Sequence, residues 1–105
     1  MIELNKDNFE TEILKWPDKA FVFFSSDNWA PCQAIKPFVT VCSEKYGDKI
    51  KFAKLDTAAA KRLAMSQKVM SLPTLAIYEN GQKVESLLKE GIGESNIEAM
   101  IQRHI

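Results

Sequence analysis

The sequence predicts an α/β domain in which a mixed sheet of about five strands is flanked by about four helices. Ala20-Phe21-Val22-Phe23-Phe24 is an unbroken apolar run of strand length, rich in aromatic and β-branched residues, as expected of a central strand covered on both faces. Segments of helical period alternate with strand-like runs through most of the chain, which requires parallel crossovers. Asn80-Gly81 lies between two strand-like runs, a strong signal for an antiparallel hairpin.

Taken in order, Ile2 to Leu4 makes a short strand, and Asn5 or Asp7 can cap a helix whose Phe9, Ile13 and Leu14 form an apolar face ending before Pro17. The strand Ala20 to Ser25 leads through Ser25-Ser26-Asp27-Asn28 into a helix, with Pro31 where a first turn tolerates it. Ile35, Phe38, Val39, Cys42 and Tyr46 follow at helical spacing until Gly47, and Pro37 should kink that helix for want of an N–H. Ile50 to Leu55 reads as a buried strand, and Asp56 or Thr57 can cap an alanine-rich helix through about Gln67. Leu72 to Tyr78 and Lys83 to Leu88 form the hairpin. After Gly91 and Gly93, Ser95 with Glu98 reads as a capping box, and Ile97, Met100, Ile101 and His104 share one helical face. The predicted order is β-α-β-α-β-α-β-β-α, with helices on both faces of the sheet.

A chain of 105 residues, 46% hydrophobic and 27% charged, is long enough to bury one core, so residues 1–105 read as a single domain. Lysine plus arginine equals aspartate plus glutamate at 14 each, and the charges are interspersed, which argues against a nucleic-acid partner. The longest apolar run is far short of a membrane span, and Glu3, Lys6 and Asp7 stand where a signal peptide would be apolar, so a cytoplasmic protein is expected. Cys32 and Cys42 stand ten positions apart on one predicted helix. At 1.5 Å per residue that spacing is roughly 15 Å, beyond bridging distance, so both are expected to be free thiols. With one distant histidine, a zinc site lacks ligands; no metal and no cofactor are expected.

The chemistry-bearing segment is Trp29-Ala30-Pro31-Cys32, at the loop that leaves the buried strand and opens into a helix. Unpaired N–H groups and the helix dipole stabilise negative charge at such a terminus, a thiolate included. Exchange between thiols and disulfides needs an attacking thiolate and a second thiol to resolve the mixed disulfide. Here a single cysteine, Cys32, stands in the segment.

Trp29-Ala30-Pro31-Cys32, Leu72-Pro73-Thr74 and Asn80-Gly81-Gln82-Lys83-Val84 together resemble the thioredoxin family over essentially the whole chain, and with it the thioredoxin fold. Arg62-Leu63-Ala64 with Ser66-Gln67-Lys68, followed by Leu72-Pro73-Thr74, is similar to the thioredoxins that serve glycine, sarcosine or betaine reductase. The resemblance implies thiol–disulfide redox activity, protein clients, and thioredoxin reductase and glycine reductase components as partners. It places Trp29 where the nucleophilic cysteine stands and Cys32 at the resolving position; if the cysteine is instead deleted, Trp29 is the motif tryptophan, and Cys32 is still alone. It assigns Trp29, Ala30, Pro31, Leu72, Pro73 and Thr74 to a binding surface, with Pro73 in cis and Leu72 offering a backbone edge to an extended segment. Phe23 falls where the family carries a buried aspartate, and Lys54 where that aspartate's lysine neighbour stands. Deprived of that partner, Lys54 should reach water or another carboxylate.

Cys32 is either a low-pKa thiol able to form a mixed disulfide or a small buried side chain in a first turn. Trp29 is either an exposed recognition residue or a cover over Cys32. Cys42 reads as core filler, His104 carries no chemistry, and Met65 and Met70 belong either to the core, the preferred reading, or to the border of the binding surface around Pro73.

Overall fold

The structure, a computed structural model, describes residues 1–105. Five strands form one sheet: β1 (Ile2–Leu4), β2 (Lys19–Ser25), β3 (Lys51–Asp56), β4 (Thr74–Glu79) and β5 (Gln82–Leu88), in the order β1-β3-β2-β4-β5. β3 pairs in parallel with β1 and β2, whereas β4 is antiparallel to β2 and β5. The predicted mixed sheet is thus present, with β2 at its centre. Three α-helices, α1 (Ala30–Tyr46), α2 (Lys61–Ser66) and α3 (Glu94–Gln102), and a π-helical segment over Glu10–Leu14 cover it.

The unbroken apolar run of β2 is explained by burial on both faces. Ala20, Val22 and Phe24 face a cluster with Phe9, Ile13, Leu55 and Tyr78, while Phe21 and Phe23 face one with Val39, Cys42, Leu75 and Met100. A strand so enclosed has no polar face to spare. Its last residue, Ser25, opens directly into the loop before α1, so the central, buried strand of the sheet aims that loop.

At Asn80 and Gly81 the chain takes φ values of 53° and 80°, as a two-residue hairpin turn requires. Gly81 is required twice over, because a Cβ there would lie 2.1 Å from the Leu14 carbonyl oxygen. The hairpin turn is seated against the π-helical segment.

Four local expectations are corrected. The first helix is wound as a π-turn, with Lys15 N–H donating to Glu10 at 2.8 Å; Phe9 and Ile13 stay inside, but Leu14 turns out to 36% exposure. Asn5 does cap its approach, accepting from the N–H groups of Asp7 and Asn8. Asp56 caps Ala58 as expected, but it starts a single 3-10 turn over Thr57–Ala59, and the helix begins again only after Ala60 leaves helical geometry. The capping box at Ser95 does not form, because Gly93 is the N-cap and Glu98 binds Lys45 and Tyr46 instead. Met65 and Met70, expected in the core, are both exposed. No helix is long and apolar enough to cross a membrane.

Candidate functional site at the start of α1

Trp29 is the N-cap of α1, with φ −100° and ψ 121°, and Pro31 sits in the first turn, where its missing N–H costs no helical bond. The Trp29 backbone is fastened on both sides. Its N–H donates to Ser26 at 3.0 Å, and its carbonyl accepts from Cys32 at 3.0 Å and Gln33 at 3.1 Å. Gln33 also ties the loop down by donating its amide to the Asp27 carbonyl at 2.7 Å.

Cys32 lies behind this turn and is only 2% exposed. Its sulfur accepts the Ser26 N–H at 3.5 Å, a contact that favours the thiolate. Burial outweighs it: desolvation pushes the Cys32 thiol up, the Ser26 bond pulls it down by less, and the Asp27 carboxylate adds a further push upward. Of the two readings of Cys32, the geometry therefore favours the buried side chain over the low-pKa thiol. A cavity of about 70 Å³ adjoins it, lined by Phe23, Ser25, Ser26, Asp27, Gln33 and Lys36 as well as Cys32. Cys42, on the core face of α1, is also buried and pushed up by desolvation; both cysteines are free.

Lys54, 6% exposed, finds carboxylates as expected: its ammonium lies 3.4 Å from Asp27 and 3.8 Å from Glu3. Phe23 is fully buried beside it in the sheet, paired with Lys54 in register. The lysine thus points along the strand toward the site loop.

Across from α1, the Leu72–Pro73 bond is cis, Pro73 is buried, and the Thr74 hydroxyl donates to the Ser71 carbonyl at 2.7 Å, closing the turn. Thr74 itself is buried, so within the surface assigned from the sequence it holds the turn instead of facing outward. Trp29, Pro31, Ile35, Leu72, Pro73 and Ile92 line a groove of about 470 Å³ between the two segments. Trp29 is 52% exposed, and its indole N–H donates to the Leu72 carbonyl across the groove at 3.1 Å, which suits a recognition residue. Ala30 is exposed at the head of α1 beside it. The structure brings the Trp29–Cys32 turn and the Leu72–Thr74 turn together at one end of the sheet.

Two pairings were not legible in the sequence: Asp27 with Lys54, and the Trp29 indole with the carbonyl of Leu72. Each pairing spans at least 27 positions, and no periodicity records such contacts. The largest cavity, about 660 Å³ around Trp16 and Lys51, lies apart from every one of these residues.

Burial makes a direct prediction about thiol reactivity. Titration of the native protein with a chromogenic disulfide is expected to find no fast-reacting group, and titration in denaturant to find both cysteines. One native equivalent reacting as fast as a free thiol would contradict the burial of Cys32.

A thioredoxin family model matches residues 1–103. A thioredoxin from Acetoanaerobium sticklandii is 45% identical over 105 residues, covering 100% of both chains. One from Peptoclostridium acidaminophilum is 41% identical over 105 residues, covering 100% of this chain and 96% of its own. The solved structure of Plasmodium falciparum thioredoxin has the same fold, with a TM-score of 0.90, 24% identity and 100% of both chains covered. With a family model spanning nearly its whole length and full-length relatives well above 30% identity, the chain belongs to the thioredoxin family.

Proposed function

We propose that this chain is a thioredoxin-type redox protein whose internal dithiol–disulfide exchange is disabled at position 29. The observation that carries the reading is Trp29, three residues ahead of Cys32 where the family resemblance puts the attacking thiol. In exchange, a thiolate attacks a disulfide sulfur, a mixed disulfide forms, and a second thiol displaces the first. A lone thiol stops at the mixed disulfide. Cys32 is poorly suited even to that step, being buried and held toward its neutral form. The reading of Cys32 as a working monothiol is correspondingly weakened.

The lineage role we infer is electron donation to a reductase such as glycine reductase, with thioredoxin reductase upstream. It rests on the resemblance carried by Arg62 to Ala64, Ser66 to Lys68 and Leu72 to Thr74. A second reading, a non-catalytic module that binds clients or partners, is favoured by the groove of about 470 Å³ beside the cis proline. There the Leu72 N–H donates to no protein group, and its carbonyl, outside the sheet ladder, is held only by the Trp29 side chain, so the backbone edge can serve an extended segment once that ring gives way.

Reduction of insulin disulfides in the presence of thioredoxin reductase tests the first reading. The protein is expected to give no turnover above the reductase blank. Steady turnover proportional to its concentration would overturn the proposal.

A further inference from the structure

The contact between Trp29 and Leu72 joins residues 43 positions apart and is the one hydrogen bond between the two walls of the groove's mouth. The Leu72 carbonyl precedes the cis bond to Pro73 and lies outside β4, which starts at Thr74, so no backbone N–H in the sheet reaches it. The indole N–H is its partner, at 3.1 Å. Three backbone hydrogen bonds fix Trp29 at the loop, so the ring reaches Leu72 through its side-chain rotamer alone. At 52% exposure the ring has room to rotate away without disturbing the core, on the fast timescale of exposed side chains.

We propose that Trp29 is an intramolecular latch on the groove: its indole N–H holds the carbonyl that the backbone N–H of an extended peptide would use, and its ring stands in the groove's mouth, so a partner binds by displacing it. The latch rests on the groove being a binding surface, as in the second reading above. A peptide must exchange one hydrogen bond for another at Leu72, and a net hydrogen bond is worth about a two- to tenfold change in affinity. The device therefore selects partners that supply a well-aligned backbone donor and rejects those that offer only apolar side chains.

Trp29→Phe keeps an aromatic ring at the rim and deletes the N–H. The probe is a fluorescein-labelled, cysteine-free octapeptide of alternating valine and threonine, which favours an extended chain. Fluorescence anisotropy is expected to show the variant binding about two- to tenfold tighter than the parent. In the parent, the Trp29 indole resonance, assigned by its loss in the variant, is expected to move toward its solvent-exposed position as peptide is added. Equal or weaker binding by a variant with unchanged melting temperature overturns the latch and leaves the groove standing. An indole resonance that stays put while peptide binds also overturns it. No binding by either protein at millimolar peptide overturns the groove reading, and the latch with it.

Discussion

Replacing Trp29 with cysteine is expected to give the chain a disulfide-reducing turnover it otherwise lacks. Positions 29 and 32 span the first turn of α1, and residues three apart across such a turn fall within the about 4.4–6.8 Å between Cα atoms that a disulfide bridges. The side chain at position 29 is half exposed, so a thiol there meets a substrate, whereas Cys32 waits behind it as the buried resolving group. The helix terminus favours the thiolate at the new position, lowering its pKa relative to a free cysteine. Turnover in the insulin assay should rise from the blank level to a rate proportional to Trp29→Cys concentration. If the variant forms the 29–32 disulfide and still fails to turn over, position 29 is not the whole defect, and Phe23, fully buried beside Lys54, becomes the residue to change next.

Phe24→Ala is expected to cause the largest loss of stability. Phe24 is 0% exposed, with ring centroids of Phe9 at 6.3 Å and Tyr78 at 6.5 Å, so truncation opens a cavity between the sheet, the π-helical segment and β4. A buried phenylalanine truncated to alanine costs about 3–5 kcal/mol. At about 4–8 °C per kcal/mol for a domain of this size, the melting temperature should fall on the order of 20 °C in a thermal scan followed by circular dichroism. Phe24 lies on the strand that aims the site loop, so the same variant should expose Cys32 to thiol reagents before global unfolding. A loss below about 1 kcal/mol would mean that this side of β2 is not the packed core described above.

The features legible in the sequence are those with a local cause. The run through Phe21 to Phe24 had to be a central strand because it offers no polar face, and Asn80-Gly81 had to turn because both positions need positive φ. The spacing of Val39, Cys42 and Tyr46 likewise fixes the core face of α1. Ser95 misled because a capping motif competes with what else its residues can bind. Glu98 gains a bond to Lys45 and one to the Tyr46 hydroxyl, neither of which a local pattern contains. Leu14 misled because helical period assumes ordinary winding, and a π-turn changes the phase. At the site, the turn bearing Cys32 and the cis bond at Pro73 were legible through the family resemblance. The orientation of the Trp29 ring was not, since the Leu72 carbonyl that holds it comes from the far side of the groove.

Whether Cys32 has a sulfur to exchange with is tested most directly by the covalent state of the native chain after mild oxidation. The protein is exposed to a disulfide oxidant, freed of it, denatured under alkylating reagent and mapped by mass spectrometry. Cys32 and Cys42 are expected to be recovered alkylated, with no bond between them. An intramolecular Cys32–Cys42 disulfide would contradict the account, because the chain would then hold a reducible pair of its own.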